Sequence, residues 1–220
     1  MTEAGWLASN DPRAMLAWIN GKESCDDLRR WYEVSDRKLR LFACACCQLW
    51  PGPDDKAIRY DEIAALVDRE ASEPEYLAVD PLAYGDGGRW ANYQPFRLAG
   101  QGRDLAALLR DIVGNPFRHY YWYLPKAWLT PTVLDLAHAA YDDRQGDGTL
   151  DPVRLLVLAD ALEEAGCVRR PCLICAIERA RGGPGEVRCG CAESDLLAHL
   201  RSAGPHVRGC WAVDLLLLKG

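Results

Sequence analysis

Long apolar runs and an excess of positive charge are both missing from this chain of 220 residues. Its longest apolar run, from Trp211 to Leu218, is interrupted by Asp214 and is shorter than the roughly 20 residues that a membrane helix needs. The net charge of −6 disfavours chain-wide binding to nucleic acid, although it allows a local basic patch. The first residues include Glu3 and lack an apolar core, so we expect no signal peptide, no membrane partner and a cytoplasmic location.

Signature motifs of common enzyme classes are missing as well. The sequence has no P-loop, no Rossmann glycine triplet, no HExxH and no GxSxG motif. Neighbouring carboxylates at Asp160, Glu163 and Glu164 could act as an acid and a base, but their spacing is typical of a solvated helix face. We therefore favour a non-enzymatic role over an enzymatic one.

Helix signals, by contrast, follow one another along most of the chain. Residues that cap helices stand directly before apolar residues at helical spacing, and three of these caps precede a proline at the first helical position. The caps are Thr2, Asp11, Ser35 or Asp36, Thr130 and Asp151. The segment from Cys210 to Leu218 fits a helix better than a buried strand. The pattern predicts a mainly α fold, a compact multi-helix domain with a small zinc-knuckle-like insert.

The same signals predict three parts of the chain. A helical body covers residues 1–166 and includes an irregular, aromatic-rich segment at about 73–102, a length that is uncommon in loops unless they are functional or mobile. A cysteine-rich insert covers 167–191. A C-terminal helical segment over 192–220 is expected to pack on the body.

The insert contains four cysteines with the spacing C-x2-C-x13-C-x-C. These are Cys172, Cys175, Cys189 and Cys191. In a cytoplasmic protein, clustered cysteines indicate metal ligands before disulfides, and four thiolates can enclose one zinc ion in a tetrahedron. Cys167 and His199 could replace a member that points away. Two alternatives stay open: reduced cysteines in a small loop, and a redox pair at Cys172 and Cys175.

The insert also contains five arginines and few acidic residues. They are Arg169, Arg170, Arg179, Arg181 and Arg188. A basic element stabilised by zinc could bind phosphates, so a nucleic-acid-associated factor is an alternative function. A solvated rim of a small metal loop is the interpretation that we favour.

Three further cysteines, Cys44, Cys46 and Cys47, lie in one predicted helix, and we expect them to pack in the core because free cysteine behaves as a small apolar residue. A second metal site formed with His206 and Cys210 is an alternative. His206 and Cys210 could also form the thiol–imidazole pair of a thiol-dependent hydrolase. We favour His206 as a structural hydrogen-bonding residue in a turn.

Several blocks of the sequence resemble a family, with no activity assigned to it, that occurs in many paralogous copies in planctomycete bacteria. The blocks are MTEAGWLASNDPRAML, DRKLRLFACAC (36–46), LLRDIVGNPFR (108–118), AWLTPTVLDLA (127–137), LVLADALEEAGC (156–167) and GPHVRGCWAVDLLL (204–217). The block 156–167 also resembles, more distantly, the repeat-companion domain of the same bacteria.

The resemblance implies an interaction or scaffold module whose partner is another protein, and it supplies no catalytic residues. This chain departs from the family pattern in three places. Residues around 23–34 look inserted, the aromatic segment 73–102 replaces an alanine-rich helix, and residues 168–190 are extra. A zinc site in the insert would therefore be a property of this chain and not of the family.

Overall fold

The computed structural model describes residues 1–21, 34–51, 60–69, 75, 91, 93–95, 97–117, 124–167 and 192–219. Within these ranges the protein is mainly helical, as predicted. The helices are α1 (Glu3–Ala8), α2 (Pro12–Ile19), α3 (Asp36–Leu49), α4 (Tyr60–Asp68), α5 (Gly102–Val113), α6 (Pro131–Asp142), α7 (Pro152–Glu164), α8 (Ala192–Leu200) and α9 (Trp211–Leu216). Short 3-10 turns span Ala99–Gln101 and Lys126–Trp128. None of these helices is long and apolar enough to cross a membrane.

The helices pack as two groups that meet at α9. In the first group, α3 packs on α4 and α5, and α5 also packs on α2. In the second group, α7 packs on α6 and α8. Helix α9 contacts α6 and α8 and reaches across to α5. Every residue of α9 is buried, and the helix packs against both groups.

Helix α3 is buried on two faces. One face, which includes Cys46, packs in a cluster with α5, and the other, which includes Cys44 and Cys47, packs in a cluster with α4. All three thiols are buried, which confirms the predicted core role. Among the described residues, no group with metal-ligand geometry includes any of them.

The predicted helix starts are confirmed at several positions. The side chain of Thr2 accepts a hydrogen bond from the N–H of Gly5, and Ser35, Thr130 and Asp151 cap α3, α6 and α7 in the same way. The C-terminal segment is a helix, as its length indicated. The predicted division at the insert stays a prediction, because residues 168–191 lie outside the described residues.

A tight turn over residues 207–210 directly precedes α9. The N–H of Cys210 donates to the carbonyl of Val207 at 2.9 Å, and Gly209 has a φ of +88°, in the left-handed region. A Cβ on Gly209 would lie 2.7 Å from Cδ1 of the buried Leu41. Glycine therefore satisfies both the backbone conformation and the packing at this position.

We expect Gly209→Ala to destabilise the fold more than Gly166→Ala. Gly166 also has a positive φ, +94°, but a Cβ there would meet nothing within 4 Å. Gly166→Ala thus isolates the backbone effect, about 1–2 kcal/mol, whereas Gly209→Ala adds overpacking of about 1–3 kcal/mol. Urea unfolding of both variants measures the difference, and equal losses would contradict the packing role of Gly209.

Candidate metal centre

Four side chains with metal-binding atoms come together where the two helical groups meet. They are Asp111 of α5, His199 in the last turn of α8, His206 of the following loop and Cys210 at the N-cap of α9. Their ligand atoms all lie within 4.8 Å of one another. The four side chains could therefore hold one metal ion.

Asp111 is the member that comes from the first helical group, and its carboxylate is buried. Its Oδ1 lies 2.9 Å from Nε2 of His199 and 2.7 Å from Nδ1 of His206, whereas its Oδ2 accepts the N–H of Val207 at 3.0 Å. Burial would raise the pKa of Asp111, but hydrogen bonds from the two histidines outweigh it and hold the pKa below its usual range. The carboxylate is thus ionised, with Oδ1 directed at both imidazoles.

The imidazole of His206 lies between two hydrogen-bond acceptors. Its Nε2 is 3.2 Å from the carbonyl of Ser202, and its Nδ1 is 2.7 Å from the carboxylate of Asp111. Nε2 also lies 3.2 Å from the hydroxyl of Ser202, which can donate to it when the proton of a neutral imidazole is on Nδ1. With a metal ion at Nδ1, the proton would instead be on Nε2 and directed at the carbonyl of Ser202. Burial would lower the pKa of His206, yet the hydrogen bond and charge of Asp111 raise it overall.

Cys210 completes the group from the start of α9. Its Sγ lies 3.3 Å from Nε2 of His199 and 3.9 Å from Nδ1 of His206. The thiol is fully buried, and burial, followed by the charge of Asp111, raises its pKa well above the usual value. The thiol therefore keeps its proton unless a metal ion displaces it, because metals bind the thiolate.

His199 is the member of the group that is nearest to solvent, with 19% of its side chain exposed. Its ring packs against Trp211 with a centroid distance of 5.0 Å. It also lines a pocket of about 310 Å³, together with Trp6 and Arg110. Of the four side chains, His199 is the one that lines this pocket.

The four cysteines predicted from the sequence as metal ligands are not members of this group. Cys172, Cys175, Cys189 and Cys191 lie outside the described residues, and so do Arg169, Arg170, Arg179, Arg181 and Arg188. Both interpretations of the insert therefore stay predictions. Of the two predicted substitutes, Cys167 is buried in the apolar cluster of the second helical group, and His199 faces Asp111.

Sequence reasoning singled out His206 and Cys210 but missed Asp111. A signal was nevertheless present, because Asp111 lies between Leu109 and Ile112 in the apolar sequence of α5. Aspartate is rarely buried without a partner, so a charged residue on an apolar helix face indicates a polar contact in the core. The identity of that contact depends on residues far along the chain, since His199 is 88 positions away.

The surface carboxylates of α7 are exposed, as predicted. Arg201 donates to Asp160 at 2.7 Å and to both oxygens of Glu163, at 3.0 and 2.7 Å. Exposed pairs of this kind contribute little to stability, and they leave these carboxylates solvated.

No protein-family profile, curated protein or solved structure matches the chain. The resemblance to a planctomycete family therefore stays an expectation. What the site can do must be argued from its own geometry.

Removing the carboxylate at the centre should be strongly destabilising even without metal. In Asp111→Ala, the N–H of Val207 and both imidazoles lose their buried acceptor. We expect a loss of about 3–5 kcal/mol in the free energy of unfolding, the range seen when one partner of a buried ion pair is removed. Urea unfolding with a chelator present measures this loss separately from metal binding.

The matched control is Asp160→Ala, which removes an exposed carboxylate that is also paired, with Arg201. It should change the free energy of unfolding by about 1 kcal/mol at most. Equal effects of the two substitutions would show that Asp111 does not hold the two groups together.

Proposed function

We propose that the protein is a non-enzymatic interaction or scaffold module whose two helical groups are joined by a structural zinc ion at Asp111, His199, His206 and Cys210. The observation that carries the proposal is the convergence of these four ligand atoms within 4.8 Å at the junction of the groups. One ligand comes from the first group and three come from the last part of the chain. An ion there would cross-link segments that are distant in sequence.

The types of ligand favour zinc among the divalent ions. One thiolate and two imidazoles are borderline or soft donors, which suit zinc and disfavour calcium and magnesium. A carboxylate completes the four ligands of a tetrahedron, a number that is typical of structural zinc sites, whereas catalytic sites keep a position for water. The carbonyl of Ser202 and the N–H of Val207 orient His206 and Asp111 in the way that outer-shell groups do in metal sites.

The thiol-dependent hydrolase that the sequence allowed is less well supported by the same geometry. A nucleophilic cysteine needs a lowered pKa and access to substrate. The Cys210 thiol is fully buried, and burial raises its pKa. These properties suit a metal ligand that becomes a thiolate only when the ion binds.

Metal analysis of variants tests the proposal. The insert cysteines are removed first, with Cys172→Ser and Cys175→Ser, so that metal bound by the insert does not contribute. We expect this double variant to retain one zinc per chain and to lose it when Cys210→Ser is added. Cobalt in place of zinc should give a thiolate charge-transfer band that disappears with the same substitution.

Cys46→Ala in the same background is the matched control, because Cys46 is equally buried but lies away from the centre. It should keep the zinc. Free zinc at 100 times its Kd should raise the free energy of unfolding of the double variant by about 2.7 kcal/mol. A folded double variant that binds no zinc would refute the metal centre.

An exposed apolar surface on α7 supports the interaction role. Leu156 and Val157 each lie one turn from Val153, and 66% of Val153 is exposed. The opposite face of α7, with Leu155, Leu158 and Leu162, is packed in the core. Exposed apolar residues at helical spacing are typical of sites that another protein covers.

Photo-crosslinking in cells that naturally make the protein tests this role. A photoreactive residue at Val157 should give discrete adducts with another protein, and one at Asp104, which is exposed on α5 in the first helical group, should give none. Equal labelling from both positions would contradict a protein partner at the α7 surface. Adducts with RNA would instead favour the nucleic-acid-associated alternative, whose five arginines lie outside the described residues.

A further inference from the structure

A second polar cluster lies at the junction of the two helical groups, separate from the metal centre. It consists of Arg37 and Lys38 of α3, Asp68 at the end of α4, Tyr141 of α6, Arg208 of the tight turn, Asp214 of α9 and Lys219. It brings four cations together with two carboxylates.

The carboxylate of Asp214 is fully buried and both of its oxygens are occupied. Oδ2 accepts hydrogen bonds from Nη1 of Arg37, at 2.7 Å, and from Nζ of Lys38. Oδ1 accepts from Nη2 of Arg37 at 3.3 Å. Asp214 therefore balances cations in the interior of the cluster.

Both oxygens of the Asp68 carboxylate also accept hydrogen bonds. Its Oδ1 accepts from Nη2 of Arg37 at 2.6 Å and from the hydroxyl of Tyr141 at 2.7 Å. Its Oδ2 accepts from Nη1 of Arg208, and Nζ of Lys219 lies 4.0 Å away. Two cations thus share a single carboxylate oxygen at the outer edge of the cluster.

The cluster contains four basic and two acidic side chains, and two of the basic ones lie at its edge. Arg208 and Lys219 have 14% and 30% of their side chains exposed, whereas Lys38 is buried. No further carboxylate contacts Arg208 or Lys219 among the described residues. Arg208 and Lys219 share the one carboxylate of Asp68, which Arg37 also contacts, so a further anion at the edge would be favourable.

Arg208 and Lys219, the two cations at the edge of the cluster, both have N–H groups that can donate hydrogen bonds. Arg208 has five N–H groups and donates one hydrogen bond within the described chain, from Nη1 to Asp68. The ammonium group of Lys219 lies 3.9 Å from the ring centroid of Tyr141, and the guanidinium carbon of Arg208 lies 5.4 Å from it. Both cations thus contact the same ring as well as the same oxygen of Asp68.

We propose that Arg208 and Lys219 form a binding site for an oxyanion of the phosphate type. A guanidinium fork and an adjacent ammonium group match the several oxygens and the double charge of such an ion. A dianion would match the two basic side chains at the edge, Arg208 and Lys219. The carboxylate of Asp68 stays in place behind the two cations and keeps them oriented.

Calorimetric titration with inorganic phosphate tests the site, with sodium chloride at matched ionic strength as the reference. We expect saturable binding to the wild-type chain that is about tenfold or more weaker in Lys219→Ala, the loss expected for one charge-assisted contact. Phosphate should also raise the Tm of the wild type more than that of Lys219→Ala. Comparing the two proteins removes the general stabilising effect of phosphate.

Arg103→Ala, which removes an exposed arginine elsewhere on the surface, is the matched control and should bind phosphate as the wild type does. Arg208→Gln should weaken binding at least as much as Lys219→Ala. If Arg208→Gln does not fold, Lys219→Ala alone decides, because within the described ranges Lys219 approaches no carboxylate closer than 4.0 Å. Affinity that is unchanged in Lys219→Ala, or no saturable binding to the wild type, would overturn the proposal.

A parallel titration with glycerol phosphate distinguishes a free ion from a phosphate ester. Equal affinity for both would identify an ester-accepting site, and a preference for inorganic phosphate would identify a site for the free ion. All titrations contain a chelator. The anion site does not depend on the proposed zinc, so failure of either proposal leaves the other testable.

Discussion

The junction between the two helical groups depends on buried carboxylates. Within each group, helices pack by burying apolar side chains, which is a non-directional interaction that tolerates small shifts. Across the junction, Asp111 receives three contacts from the last part of the chain and Asp214 of α9 receives two cations from α3. Hydrogen bonds to a buried charge are directional and strongly unfavourable to break. These carboxylates therefore set the position of α9 against the first group.

The tight turn before α9 connects the two polar clusters. Its side chains alternate, since His206 and Cys210 face Asp111 whereas Arg208 faces Asp68. Nζ of Lys38, which binds Asp214, also donates to the carbonyl of Gly209 at 2.7 Å. Any movement of the turn would disturb both clusters. The two clusters are thus adjacent along a short backbone segment that contains a left-handed glycine.

The fold was more predictable than the site for a physical reason. Caps such as Thr2 and Asp151 act within three residues, so local sequence is enough to place helix starts. The metal centre instead joins α5 to a loop about ninety residues later, and no local pattern specifies which buried aspartate meets which histidine. The spacing of His206 and Cys210 was visible, but the same spacing is compatible with a turn, a thiol pair or a metal site. The position of Asp111 beside both residues, which only the tertiary structure gives, supports the proposed metal site.

The two clusters differ in how their charges balance. In the metal centre, a doubly charged ion would be neutralised by one carboxylate and one thiolate, and in its absence a protonated His206 would balance Asp111. The centre can thus be neutral with or without the ion. The second cluster has more basic than acidic side chains in a chain whose net charge is −6, and its edge is open to solvent. The junction therefore combines a polar cluster whose charges can balance internally with one whose excess of basic side chains favours an anion.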